Sequence, residues 1–267
     1  MKKFLLMTLI VNLAFSHDYW LQPQKFHLSK GETLVVHLYV GDKFEKEIER
    51  EFQKNMTLKF ELITDSSSFN LVDEIKDKSI PILVKKINFE GLALLSMERD
   101  YAYIELKPEE FSEYLRHEGL EDIQKLIEKL PPRKVERERY RRFIKSLIMV
   151  ADKPKGNVYS KVLGQKLEII LLDNPFKTKP GDEITAQVLF DGKPLAGKTI
   201  TAYNLEPESK KINEYKAKTD KNGRVKFKIE NPGLWLIRLV HLLKCNGCEN
   251  ADWESFWASY SFEIKPK

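Results

Sequence analysis

The chain has 267 residues, and its 45 Lys and Arg stand against 40 Asp and Glu, a formal net charge of +5. That near balance argues against a dedicated polyanion binder, and a hydrophobic fraction of 42% is ordinary for a globular protein. The length suffices for one large core or two modest ones, and two domains are expected.

Lys2 and Lys3 open a positive segment, residues 4–13 are apolar, and Ala14 and Ser16 supply the small residues that a signal peptidase reads. A signal peptide over 1–16 with cleavage after Ser16 is therefore expected, and with it an exported, periplasmic location. The apolar run is far shorter than the ~20 residues a membrane-spanning helix needs. The residue immediately after the expected cleavage point is His17 rather than Cys, which argues against a lipid anchor. Loss of Lys2 and Lys3 would lower the net charge from +5 to +3. Cleavage would also expose His17 as a new N-terminus. Its α-amine and imidazole are then two nitrogens on one residue, able to chelate a borderline divalent metal.

From Lys25 to about Tyr103 the chain reads as short strands, at 33–40, 57–63, 80–89 and 101–106, each β-branched or alternating and bounded by turn residues. Pro108 then introduces another period. Phe111, Tyr114 and Leu115 fall at i, i+3 and i+4, and Leu120, Ile123, Leu126, Ile127 and Leu130 continue on helical spacing. A third helix is expected around Tyr140, Phe143, Ile144, Leu147 and Ile148, with Arg137, Arg139, Arg141, Arg142 and Lys145 around its apolar stripe. Export places nucleic acid out of reach, so this basic segment is expected to be a solvated face with ion pairs to neighbouring acids. The helical segment thus covers 109–150 and completes an N-terminal β domain over 17–150.

The polar, turn-rich run 152–157 marks the expected boundary. Beyond it come seven short strands at 167–172, 183–190, 198–204, 214–219, 224–229, 235–240 and 256–264, separated by turns such as Asp191-Gly192 and Asn222-Gly223. They predict an antiparallel Ig-like sandwich over 164–267. In its last strand Phe256, Ala258, Tyr260, Phe262 and Ile264 share one face, expected to be buried, while Ser259, Ser261 and Glu263 share one expected to be wet. The fold class is mainly β: two sandwich domains with a helical segment between them.

The two cysteines, Cys245 and Cys248, sit in one C-x-x-C segment. In an exported protein a loop-closing disulfide is the first reading; a zinc site would need His241 and an acidic residue besides, and thioredoxin-like redox work needs a different context. Trp20, Trp235, Trp253 and Trp257 read as core more readily than as a sugar-stacking surface. The segment Asp220 to Gly223 is a hairpin turn rather than a calcium loop. The chain lacks the G-x-S-x-G, H-E-x-x-H and G-x-x-x-x-G-K-[ST] signatures, and no enzyme is expected.

The segments HDYWLQP at 17–23, FSEYLRHEGL at 111–120, RERYRRFIK at 137–145, DGKPLAG at 191–197, TDKNGRV at 219–225 and ADWESFWAS at 251–259 carry a resemblance. In these the chain resembles a bacterial exported family, catalogued as a domain of unknown function and labelled as nickel-transport-associated, of the NikM/NikK type. The family's Ala-His-Asp start falls on Ser16, His17 and Asp18, and its Val-His falls on Val240 and His241; the C-x-x-C departs from its pattern. Residues 180–240 are also similar to carboxypeptidase-regulatory and transthyretin-like modules, which implies a sandwich there. The family resemblance implies a periplasmic companion of nickel or cobalt uptake.

The expected metal site is then His17 and His241, with Asp18 and Asp252 supplying oxygen or orienting an imidazole, and Glu254 as a further carboxylate. Nickel or cobalt is the expected ion and copper the alternative; the expected partners are metal-transporter or outer-membrane receptor components. His27, His37 and His117 stand outside the expected site. The rival readings are an envelope interaction module in which the histidines are incidental, and a copper-dependent oxidase using the amine-bearing His17.

Overall fold

The computed structural model describes residues 17–266; the expected leader 1–16 lies outside the described residues. The chain is mainly β, with two short helices. The first half supplies β1 (Asp18–Pro23), β2 (His27–Leu28), β3 (Thr33–Asp42), β4 (Glu45–Glu49), β5 (Thr57–Ile63), β6 (Ser68–Asn70), β7 (Leu83–Lys86) and β8 (Gly91–Leu106). Helices α1 (Pro108–Glu118) and α2 (Glu121–Ile127) follow, then β9 (Glu136–Val150) and β10 (Leu167–Leu171). The rest is β11 (Glu183–Phe190), β12 (Lys193–Pro194), β13 (Thr199–Leu205), β14 (Ile212–Lys218), β15 (Arg224–Lys228), β16 (Gly233–Lys244) and β17 (Trp253–Ile264).

A nine-stranded sheet in the order β14-β13-β16-β17-β9-β8-β5-β6, with β2 on β9, forms the middle of the molecule. β17 and β9 pair in parallel, from Trp253 opposite Glu138 to Ser261 opposite Ser146. This one ladder carries the sheet across the expected domain boundary, so both halves share it. A four-stranded sheet of β10, β11, β12 and β15 covers one of its faces, around Leu94, Phe143, Leu147, Ile169, Val188, Trp235 and Phe262. A second four-stranded sheet, of β1, β3, β4 and β7, covers the opposite face, around Leu21, Val36, Leu38, Leu95, Ile144 and Ile148.

The third expected helix is not one: residues 136–150 form β9. Its C-terminal half is buried on both sides, Phe143, Leu147 and Met149 against one covering sheet and Ile144, Ile148 and Val150 against the other. Apolar residues therefore occur at adjacent positions, and Lys145 and Ser146 interrupt them. The result is an i, i+1, i+4, i+5 spacing that imitates a helical stripe although the chain is extended.

A related correction concerns the last strand. Ser259 and Ser261 lie beneath β1 rather than in water, and their hydroxyls donate to the carbonyls of Tyr19 at 2.7 Å and Leu21 at 2.6 Å. Small hydroxyl side chains let β1 approach closely and satisfy carbonyls that its own ladder with β3 leaves over.

The first two helices form as expected. Pro108 suits the first helical position, where an N–H is dispensable, and the Glu110 carboxylate accepts the Lys107 N–H at 2.8 Å. Gly119 ends α1 with a φ of 67°, and a Cβ there would come within 2.8 Å of Thr199. Phe111, Tyr114 and Leu115 pack on Val240, Leu242 and Trp253 of the large sheet.

Candidate ligand-binding cleft

Between the β1-β3-β4 layer and α1, over the large sheet, lies a cleft of about 680 Å³. One wall is the β3–β4 hairpin. Its central residues Lys43 and Phe44 both have positive φ, the backbone of a tight two-residue turn whose twist matches the strands. Phe44 is not a residue that adopts this conformation freely; burial against Trp20, ring to ring at 5.7 Å and edge-on, holds it. Gly41 is required where the register shifts, because a Cβ would fall on the Glu45 carbonyl. The hairpin and the residue after it bring Val40, Glu47, Ile48 and Arg50 to the cleft.

β9 supplies Glu138, Tyr140 and Arg142, alternate residues on one side of the strand, and Tyr19, Trp257, Tyr114, Ile104, Leu106 and His17 complete the lining. The Arg142 guanidinium stacks over three rings, Tyr19 at 3.9 Å, Tyr140 at 4.4 Å and Trp257 at 5.4 Å. Trp257 is stacked on Tyr114 at 5.9 Å. Arg99, buried, lies 5.8 Å from the Tyr19 ring and donates to Gln53 at 2.5 Å.

Burial alone would raise the Tyr19 phenol, but the guanidiniums of Arg142, Arg50 and Arg99 outweigh it and hold the phenol below its ordinary value. Glu138 behaves oppositely. Burial lifts its carboxyl to about 7, against hydrogen bonds from Ser255 and, at 3.5 Å, from Tyr114. The cleft thus holds a carboxyl whose ionisation burial opposes, beside the guanidiniums of Arg50 and Arg142.

The residues expected to share a metal do not converge. His17 lines the cleft, with Nε2 3.2 Å from the Glu47 carboxylate. Asp18 is buried and bonded to Arg238, whose guanidinium also grips Glu118, at 3.0 Å through one nitrogen. Burial raises the Asp18 carboxyl to about 6 even against that guanidinium. His241 is on β16 with Trp235, Ile237 and Leu239, the side packed on the β10-β11 sheet, whereas Arg238 points to the β1 side. Its ring meets Phe190 edge-on at 4.5 Å, and burial depresses its pKa to about 4. The large sheet therefore separates His241 from His17 and Asp18. Asp252 accepts from Arg137 Nε at 3.0 Å and lies 3.2 Å from Arg133.

Cys245 and Cys248 are joined in a disulfide between β16 and β17. With Glu254 they form the cluster of metal-ligating residue types found among the described residues, but disulfide sulfurs are not thiolate ligands. Glu254 is already bonded to the Tyr101 hydroxyl and to Arg139, both at 2.6 Å. His37 contacts Glu49 at 2.6 Å, His27 packs edge-on to Phe176, and His117 contacts Glu118 at 3.2 Å. Sequence reasoning missed Arg50, Arg99, Tyr140 and Glu138. The signal for Arg142 was present, but it was placed on a helix.

Among the described residues no helix is long and apolar enough to cross a membrane. No curated protein matches the chain. Among solved structures it is similar to a tetra-tandem repeat in the extending region of a large adhesion protein, at 5% identity and a TM-score of 0.25, covering 95% of this chain and 50% of that one. It is also similar to trypsin-activated α2-macroglobulin from Escherichia coli, at 10% identity and a TM-score of 0.24, covering 95% of this chain and 16% of that one. The elastase-activated form of the same protein gives 11% identity and a TM-score of 0.24, covering 94% of this chain and 20% of that one. The chain spans half or less of each, and likenesses at this level carry no argument. A family described as a domain of unknown function matches residues 14–242.

Proposed function

This chain belongs to the family described as Domain of unknown function (DUF4198), and since that description names no activity, we propose from the cleft itself that the protein is a non-catalytic binding protein for a small ligand. The supporting observation is the cleft's composition. A volume of about 680 Å³ suits a small organic molecule, and side chains from β1, β4, β8, β9, β17 and α1 line it with rings, apolar groups and a few polar heads. The exported location expected from the leader puts this binding outside the cytoplasm.

A second reading, favoured by one contact, is capture of nickel, cobalt or copper at His17 for a metal transporter or outer-membrane receptor. The Glu47 carboxylate beside Nε2 is the arrangement that orients a ligating imidazole, leaving Nδ1 and a freed α-amine for the ion. In this reading His17 serves without His241, Asp18 or Asp252, which are engaged elsewhere. Arg50 and Arg142 in the same cleft oppose a bare cation, which ranks the organic ligand first.

Native mass spectrometry of the chain purified from its own envelope tests the first reading: a retained small molecule, lost when Trp257 is replaced by Ala, supports it. A bare polypeptide mass, with no thermal shift from organic acids, sugars or metals, overturns it. Calorimetric titration of nickel, cobalt and copper into a chain beginning at His17 tests the second, which fails if His17→Ala binds unchanged.

A further inference from the structure

Apart from the exposed Arg116 and Arg224, the arginines of this protein fall into two sets. Arg133, Arg137, Arg139, Arg141 and Arg238 each face a carboxylate within ion-pair distance. Arg50, Arg99 and Arg142 form no ion pair among the described residues, yet they gather around one tyrosine and repel one another. Each also keeps a buried N–H without a partner, Arg50 Nε, an Arg99 terminal nitrogen and Arg142 Nε; Arg139 Nε shares this, but the Arg139 guanidinium is answered by Glu254. Arg99 is buried and Arg50 and Arg142 are half-buried, and three like charges held together and partly shielded from water are costly unless something offsets them. Two of the three line the cleft, and stacking of Arg142 on Tyr19, Tyr140 and Trp257 fixes its fork in place.

We propose that the cleft is a site for a small organic anion, a carboxylate or phosphate monoester whose charged head is received by Arg50 and Arg142, with Arg99 behind them, and whose apolar body lies along Val40, Ile48, Ile104 and Leu106. This rests on the cleft being the ligand site and names the class of ligand. A guanidinium offers paired donors matched to the planar carboxylate or to two phosphate oxygens, and the apolar wall accounts for a body larger than an inorganic ion. Burial lifts the Glu138 carboxyl to about 7, which weakens its opposition to an anion, and Glu47, the other carboxylate of the lining, is turned to His17 at 3.2 Å.

The test uses a chain beginning at His17 and four probes of one body: phenylacetate, phenyl phosphate, 2-phenylethanol and phenethylamine. Calorimetry should show binding of one or both anions, weakening as salt rises, and none of the amine. Carboxylate binding without phosphate, or the reverse, identifies the head group. Arg142→Met and Arg50→Met should each weaken the anion about 10- to 100-fold, the scale of a lost charge-assisted hydrogen bond. Arg139→Met, on the other side of β9 and paired with Glu254, should leave affinity unchanged.

A purely structural role is separated by the melting temperature of the free protein. Relief of like-charge repulsion should offset the lost ring contacts of Arg142 and the lost Arg50 hydrogen bond to Tyr19 and keep both Met variants within about 4 °C of the parent, while a structural role predicts a larger loss. Arg142→Lys keeps the charge without the fork and should bind between the two. Equal binding of the neutral alcohol, unchanged affinity in both Met variants, or no binding of either anion overturns the anion site. In those cases retention of a neutral or cationic molecule from the envelope leaves the cleft reading standing, and retention of nothing sinks both.

Discussion

The two sides of β9 follow opposite rules for charge. Toward the β10-β11 sheet, Lys145 is wholly buried in the core and its charge is fully answered: it donates to Glu168 at 2.6 Å and to the Ile169 carbonyl at 3.1 Å, while Glu168 accepts the amides of Leu163 and Gly164. Toward the β1-β3 layer, Arg142 stacks on rings and pairs with no carboxylate. A closed network of this kind fixes how the layers meet; charge left unanswered marks a surface prepared for something else.

The comparison breaks most visibly at Lys145. Lys145→Met should cost about 3–5 kcal/mol in urea unfolding, because it strands the buried Glu168 carboxylate, and Glu168→Gln in the same chain should restore much of the loss. If Lys145→Met cost no more than Arg142→Met, the two sides would not differ as claimed. Arg238→Met should be comparably damaging, since it leaves Asp18 and Glu118 buried without their shared cation.

Next in size is an opposition in pH dependence. On the sealed side, His241 is depressed by burial to about 4, with Lys198 adding to the depression and Asp122 opposing it. Between 6.5 and 4 the unfolded chain binds the proton that the folded chain refuses, so stability falls as pH drops through that window, by on the order of 2–3 kcal/mol from this residue. On the cleft side, Glu138 is raised to about 7, so the folded chain holds a proton that the unfolded chain releases, and stability falls as pH rises from 4.5 to 7. The two contributions oppose one another over most of this range, and Asp18, raised to about 6, adds to that of Glu138. In unfolding free energies across pH 4 to 8, relative to the parent, His241→Leu should remove a component that rises with pH and Glu138→Gln one that falls with pH. If neither variant changed its own slope, the assigned titrations would be wrong.

The smallest effect is expected at the rim. Arg137 and Asp252 form an exposed pair, and Arg137→Ala should shift stability by less than about 1 kcal/mol. A larger loss would mean that the surface pairs of β9 also lock the layers together.

Much of the architecture could be read along the chain. The strands at β5 and β11 fall where alternation predicts them, and α1 falls where Pro108, the 111–115 spacing and Gly119 predict it. β9 was illegible because a strand covered on both faces loses its period of two. The candidate site was legible only at His17; Trp257, which lines the cleft, was read as core. Asp18 and His241 fall where the resemblance places the family's Ala-His-Asp start and its Val-His, yet one is held by Arg238 and the other faces away across a sheet.

By itself the sequence determined that the chain is mainly β, that helices follow Pro108, and that a disulfide was open to Cys245 and Cys248, because turn chemistry, hydrophobic period and residue spacing act over a few neighbouring positions. Tertiary structure alone decided that one sheet serves both halves, that His17 and His241 lie on opposite sides of it, and that Arg50, Arg99 and Arg142 meet at Tyr19. Those outcomes depend on which strand lies beside which and on the parity of each register, and contacts between residues tens of positions apart set both.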